Sequence, residues 1–555
     1  MFTRRRMMQV TGAIASGYAG IACSVETGKR KFKHYPFDPV DTRNFTQKLF
    51  IPVGSGPFGT LDVVSPLKIR ATAASFPLLP GPKSQKPSPF LLYQTEQAGK
   101  AYQNPILRME SGARFIASLH NELREPTIIH WHGLHTPAAM DGHPSTTIGP
   151  GGHYDYDFVV RNRGGTYWYH THAHNLTARQ AYNGLASFFL VDDSDQRNIS
   201  KALDLQLGVT DLPLVVQDKR FDKQGKLVYK PGMHEAMMGW LGNIVLANLT
   251  ANAVQTVTPR TYRLRLLNGP NARIYRLAFV KGDTPLNFIV IGTDGGLIER
   301  PETVTEAFFA PGERLDVLID AGQAQPGEAI FLKSLVFDAM ENEGTAGMGG
   351  MGGVAVMAGM GGGKREGMGQ MMGGMSSSRL ELGQAFNVLK LSVVSGERIV
   401  PKLPAVLSVV KPIDLAKASE RKIELSLGPM RFLINGRTFK MDEIAFDVKR
   451  GAVEIWNISN PAVGMPHPMH IHGFSFQVLE RIGSPTQVAT TARFGKGRTV
   501  SDLGWKDTVL VWPGETVRIA IDFAHDYPSS QTYVFHCHNL EHEAAGMMLN
   551  YRVLA

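Results

Sequence analysis

Two stretches of this chain, one in its first half and one near its end, carry the same order of residues, and few folds can satisfy both. Thr166-Tyr167-Trp168-Tyr169-His170-Thr171-His172 is echoed by Thr532-Tyr533-Val534-Phe535-His536-Cys537-His538. His130-Trp131-His132-Gly133 is echoed by His470-Ile471-His472-Gly473. The aromatic and β-branched run before His170 and His536 reads as strand. On a strand, residues i and i+2 share a face and the residue between them points away. His536 and His538 therefore project to one side and Cys537 to the other. A thiolate on one face can hold one metal while its covalent neighbours hold another, which makes this strand a wire between two metal sites.

Chance does not produce the pattern. Eighteen histidines in 555 residues give about 0.6 His-x-His pairs by simple counting of matches to the template. The chain has five, counting His172/His174, and four of them fall in the echoed contexts.

The rest of the chain suits such strands. It is too long for one hydrophobic core, and its 58 Gly and 33 Pro make it rich in turns. Alternating runs are Tyr154/Tyr156/Phe158, Tyr262/Leu264/Leu266, Leu315/Val317/Ile319 and Val517/Ile519/Ile521/Phe523. Three of these follow Pro150-Gly151-Gly152, Pro311-Gly312-Glu313 and Pro513-Gly514-Glu515, so three related domains are expected. Long amphipathic helices are absent, which predicts an all-β chain of β-sandwiches. The expected domains span 45–195, 200–395 and 415–555, with Pro-rich irregular chain up to about residue 100. The outer domains supply the His-x-His strands and the middle one supplies none. A Gly- and Met-rich stretch, 340–378, interrupts two strand-like runs, Ile330 to Phe337 and Phe386 to Val394, and reads as a long inserted loop.

Residues 1–23 pair basic Arg4-Arg5-Arg6 with an apolar run from Val10 to Ala22. That reads as an export signal of the twin-arginine kind, with a periplasmic destination and no other membrane segment. Ile21-Ala22-Cys23 also has some likeness to a lipoprotein cleavage site. The net charge of +9 is spread along the chain with no basic–aromatic interleaving, which argues against nucleic-acid binding. Of two cysteines, Cys23 and Cys537, processing would leave Cys537 alone. A lone cysteine among histidines reads as a metal ligand or a nucleophile.

Neutral imidazoles suit copper, zinc and iron. A thiolate with two imidazoles and a distant thioether suits a blue copper centre in particular. Cys537, His542 and His467, with Met547 axial, are the candidates. Zinc has no need of the methionine, and no haem or iron–sulfur cysteine motif is present.

His130-Trp131-His132-Gly133, His170-Thr171-His172, His467-Pro468-Met469-His470-Ile471-His472 and His536-Cys537-His538-(x)3-His542-(x)4-Met547 resemble, complete and in order, the four signature motifs of multicopper oxidases. The resemblance implies three cupredoxin-like Greek-key domains, four copper ions and dioxygen as electron acceptor. It implies a type 1 copper on His467, Cys537, His542 and Met547, and a type 2 copper on His130 and His470. The type 3 pair falls to His132, His170, His172, His472, His536 and His538. Asp141 and Glu543 match acids that serve as proton relays, and His174 matches a bystander. The implied reaction takes single electrons from a reductant at Cys537, passes them to His536 and His538, and reduces dioxygen to water. Trp131, Trp168 and Phe535 read as packing residues.

Soft thioethers favour Cu(I). The insert methionines Met348, Met351, Met357 and Met360, together with Met465, resemble the substrate-copper ligands of bacterial copper-efflux oxidases. Val463, however, stands where those oxidases carry an acid, and the insert falls before the third domain. Three functions are compatible with the ligand set: a monomeric periplasmic cuprous oxidase for copper tolerance, a laccase-like oxidase of phenols or other small organic reductants, and a non-catalytic copper-binding protein. The last has no use for Cys537 between two further ligands.

Overall fold

The computed structural model describes residues 45–76, 78–79, 87–342 and 380–555. The expected leader with Cys23, and the Met-rich stretch beyond 342 with Met348, Met351, Met357 and Met360, lie outside the described residues. Among those described, strands form six sheets, and the longest helix is Ser194–Ala202. No described helix is long and apolar enough to cross a membrane.

The sheets come in pairs along the chain. Strands between residues 56 and 192 form a six- and a five-stranded sheet, those between 211 and 393 contribute to two seven-stranded sheets, and those between 419 and 553 form two five-stranded sheets. Each pair encloses its own apolar core: Phe115, Trp131 and Phe189 in the first, Leu264, Phe279 and Leu389 in the middle, Trp456, Ile519 and Phe535 in the last. Burying each such side chain contributes about 1.5–3 kcal/mol. The three Pro-Gly turns hold Gly151, Gly312 and Gly514 at positive φ (77°, 86° and 74°), which glycine adopts without a Cβ clash. Each leads into an alternating strand: His153–Val159, Arg314–Asp320 and Thr516–Asp522.

Two features depart from the sequence reading. The stretch before residue 100 is not irregular, because Leu67–Phe76 and Ser88–Gln97 pair antiparallel. Leu67, Ile69 and Ala71 point inward between exposed Lys68 and Arg70, an alternation overshadowed by the neighbouring prolines. The segment Gln47–Lys48 runs parallel to Ala253–Val254 in a sheet of the middle pair, and Leu49 joins that pair's core. The open hydrogen-bonding edge of Ala253–Val257 recruits it. The strands flanking the Met-rich stretch, Ala329–Ser334 and Phe386–Val393, pair antiparallel as a hairpin.

The echoed motifs occupy equivalent ladders. In the first pair of sheets His170 stands opposite His130. In the last pair His470 stands opposite His536, and Met469 opposite Cys537.

Candidate metal centre

The two ladders meet. His130, His132, His170, His172, His470, His472, His536 and His538 are each 1% exposed or less. His130 stacks on His472 with ring centroids 3.6 Å apart, and His132 stacks on His470 at 3.7 Å. Ligand atoms of His130/His132/His170, of His130/His470/His472 and of His172/His472/His536 each lie within 4.8 Å of one another.

The outer nitrogens fix which atoms face inward. Carbonyl oxygens can only accept, so the Nδ1 atoms bonded to them carry the proton. His130 donates to the Asp141 carbonyl (2.7 Å), His170 to that of Thr171 (2.8 Å), His470 to that of Asp507 (2.8 Å) and His536 to that of Cys537 (3.1 Å). His472 Nδ1 donates to Asp141 Oδ2 at 2.7 Å. His132 is turned round: Nε2 donates to Asp507 Oδ1 at 3.0 Å, and its buried Nδ1 has no partner. Neither do His170 Nε2 or both nitrogens of His538.

These hydrogen bonds leave lone pairs facing lone pairs. His130 Nε2 and His470 Nε2 are 3.4 Å apart, and His472 Nε2 and His536 Nε2 are 3.1 Å apart. Such an arrangement in an apolar interior calls for a cation between the nitrogens. Burial lowers the pKa of these imidazoles, of His536 to about 4 and of His170, which His536 also repels, to about 3. They are therefore neutral at ordinary pH, the form that binds metal. The donor set fits copper.

A carboxylate network from all three parts of the chain holds this geometry. Asp507 accepts from His132, from Thr508 Oγ1 (2.9 Å) and from both terminal nitrogens of Arg314. Asp294 accepts from the backbone N–H of Arg314 (2.8 Å) and pairs with Lys506 (2.9 Å). Burial would raise the Asp507 pKa, but the Arg314 guanidinium outweighs it and keeps the carboxyl below its usual range. Asp141 is fully buried against His472 and His130, and burial holds its pKa well above the carboxylate norm. Glu543 lies 3.7 Å from His172 Nε2 and 3.6 Å from His536 Nδ1, and burial pushes it up to about 8.

The second cluster lies on the other side of the Gln531–Cys537 strand. Cys537 Sγ is 3.5 Å from His467 Nδ1 and 3.5 Å from His542 Nδ1. His542 Nε2 donates to the Met237 carbonyl at 2.9 Å, which leaves its Nδ1 lone pair facing the sulfur. Met547 is fully buried in the apolar cluster that holds Cys537, and its carbonyl accepts the Cys537 N–H at 3.0 Å. Burial alone raises the thiol pKa well above its usual value. A bound cation reverses that and stabilises the thiolate. Phe432 walls the site, with its ring centroid 4.7 Å from His467 and 4.5 Å from His542.

Other motif residues fall where their chemistry allows. His174 rests on Phe439 at 5.1 Å and belongs to neither cluster. Trp168 packs directly on two of the histidines, 4.3 Å from His170 and 4.7 Å from His132. Met465 is buried (2% exposed) in the core cluster that also holds Cys537, while Val463 is 39% exposed. The sequence reading missed Asp507, Arg314, Phe432 and the Met233–Met238 helix that supplies the Met237 carbonyl. None of these sits at a repeating interval from a histidine, so spacing carries no signal for them.

Cupredoxin-like sandwiches with one thiolate site joined to an eight-histidine site define a copper-dependent oxidoreductase. Multicopper oxidase family models match residues 94–196 and 401–555. The multicopper oxidase mco of Staphylococcus epidermidis is 30% identical over 452 residues, covering 80% of this chain and 80% of the relative. The laccase of Bacillus subtilis is 30% identical over 459 residues, covering 78% of this chain and 80% of the relative. Among solved structures, the McoA multicopper oxidase of the hyperthermophile Aquifex aeolicus gives a TM-score of 0.76 at 37% identity, covering 92% of this chain and 99% of that one. The chain belongs to the multicopper oxidase family. It is an enzyme of three cupredoxin-like domains that works with four copper ions and dioxygen.

Proposed function

We propose that this enzyme is a cuprous oxidase of copper tolerance. Its balanced reaction is four Cu(I) plus dioxygen plus four protons giving four Cu(II) and two waters. The observation that carries this reading is the number of thioethers in and against the core of the last sandwich, the core that holds Cys537. Met237, Met238 and Met340 lie against the same apolar cluster as Cys537, Met465 and Met547. Soft sulfur donors select Cu(I) over oxygen- and nitrogen-seeking ions. His542 is only 1% exposed, which leaves an organic ring little of its edge to touch.

In this reading His467, Cys537, His542 and Met547 hold the type 1 copper. His130 and His470 hold type 2. His132, His170, His172, His472, His536 and His538 hold the type 3 pair. Bound copper supplies the one-electron and dioxygen chemistry. Cys537 contributes a covalent route, since its peptide bonds lead directly to His536 and His538. Asp141 orients His472 and holds a proton-accepting Oδ1 beside His130. Burial raises the pKa of Glu543, so its carboxyl favours holding a proton beside His172 and His536. Substrate methionines of the 340–378 insert would gather Cu(I) for the site.

Export by a twin-arginine leader to the periplasm, action as a monomer, and domain limits of 200–395 and 415–555, with the first domain ending at 195, belong to the same proposal. Laccase-like oxidation of phenols is the second reading, supported by the 30% identity to a laccase. Oxygen uptake by copper-loaded protein, with Cu(I) or a phenol as donor and with or without residues 340–378, separates them. The cuprous reading expects Cu(I) to be the better donor and to lose rate on deletion. A faster phenol rate unaffected by the deletion contradicts it, and no uptake with either donor leaves a copper-binding protein without catalysis.

A further inference from the structure

A cavity of about 70 Å³ lies between the first and middle pairs of sheets, walled by Phe50, Phe90, Ile106, Trp168, Phe188 and Leu267. Its wall is shared with the eight-histidine cluster. Trp168 lines the cavity, and its ring stacks on His170 with centroids 4.3 Å apart.

The polar side chains on that wall are engaged elsewhere. Asn104 accepts from Tyr93 N–H (2.7 Å) and donates to the Gly184 carbonyl (2.7 Å), and Ser187 donates to the Asn104 carbonyl (2.8 Å). Asn248 accepts from Val215 N–H (2.8 Å) and donates to the Phe50 and Pro213 carbonyls. Half-buried Gln217 remains, as does the buried Trp168 Nε1, which has no hydrogen-bond partner. A resident water needs roughly two to four polar partners, and an apolar cavity of sufficient size stays dry and takes up apolar guests such as xenon. This cavity has the room and at most two free polar groups on an otherwise apolar or engaged lining, which favours an apolar guest over water.

The substrate that must reach the histidine cluster is itself a small apolar molecule. We propose that this cavity is a binding site for dioxygen, a store from which the gas passes the Trp168 indole to the cluster. The inference rests on membership of the oxidase family and not on which reductant the enzyme takes. No bond changes in this step; it raises the local concentration of dioxygen at the cluster.

Xenon reports the site independently of turnover. Xenon-pressurised crystals of the copper-loaded enzyme should show a xenon atom among Phe188, Leu267 and Trp168. Val215 and Ala181 also line the cavity, and two fillings of it, Val215→Trp and Ala181→Leu, should each exclude the xenon. Both variants should raise KM for dioxygen roughly five-fold or more while leaving kcat at saturating dioxygen and KM for the reductant in place. Should Val215→Trp fail to fold, Ala181→Leu in the Thr177–Tyr182 helix carries the same expectation. Absence of xenon from the wild-type cavity overturns the proposal. So does an unchanged KM for dioxygen in a variant that has lost the xenon.

Discussion

The Nε2 atoms of His130 and His470 lie 3.4 Å apart although 340 residues separate them. Both rings have their protons on Nδ1, committed to the carbonyls of Asp141 and Asp507. The first and last sandwiches thus each bring half of a site that neither completes alone, and they meet through unshared electron pairs. The middle sandwich adds no histidine to it. It supplies Arg314, whose grip on Asp507 fixes His132 from the first sandwich and His470 from the last.

Cys537 is flanked directly by two of the eight cluster histidines, His536 and His538, so its own peptide bonds join the two sites. Cys537→Ser should abolish the blue absorption and lower turnover with every donor by about 1,000-fold or more. Visible spectra and oxygen uptake check this. Retained turnover with any reductant would show a second electron route and undo the wiring.

Asp507→Asn removes the charge that Arg314 faces inside the protein. Breaking a buried pair from one side costs about 3–5 kcal/mol, and freeing His132 from its carboxylate should weaken copper binding about 10- to 100-fold. Urea unfolding and copper content after dialysis read the two effects separately. Unchanged copper content would mean that His132 holds its orientation without Asp507.

Gly239 ends the helix that presents the Met237 carbonyl to His542, with φ 87°. A Cβ there would lie 2.2 Å from Ala272 Cβ and 2.7 Å from Asn539 Nδ2. Gly239→Ala should push the Met233–Met238 helix off Asn539, at the start of the Leu540–Ala544 helix, and loosen the Met237–His542 bond. A shift of the blue absorption band with about 10-fold weaker copper retention is expected. An unaltered band would show that His542 needs no support from Met237.

The clustered histidines were legible because imidazoles at i and i+2 on a strand leave a periodic trace, and the trace occurs twice in the same context. Their supports left none. Asp507 is one carboxylate among many in sequence, and its partners His132 and Arg314 are reached only through the fold. The paired strands Leu67–Phe76 and Ser88–Gln97 were hidden by the prolines between them. The exchange of Gln47–Lys48 into the middle sheet depends on an open edge that no local pattern announces. The buried Glu541, which accepts from Asn271, Tyr229 and the Trp240 N–H, is similarly silent in sequence although it ties 229–240 to the Leu540–Ala544 helix that carries His542.

A pH prediction follows from the buried pair Arg481–Asp502, joined by two hydrogen bonds of 2.7 Å. Burial works to raise the Asp502 pKa, yet Arg481 outweighs it and the folded value lies below the ordinary one. The stability this contributes is present above the unfolded pKa of about 3.9 and is lost as pH falls through the lower folded value. Asp502→Asn should therefore destabilise the protein by about 3–5 kcal/mol at neutral pH, and the gap to wild type should close in acid. Thermal melts across this range test the sign; a gap that widens in acid contradicts it.

The most direct test of the central claim is the stoichiometry of dioxygen uptake with Cu(I) as sole donor. The account predicts four Cu(I) oxidised per dioxygen, with no hydrogen peroxide released, at a rate exceeding that with a phenol. Accumulating peroxide, or Cu(I) oxidation no faster than in buffer alone, would contradict it.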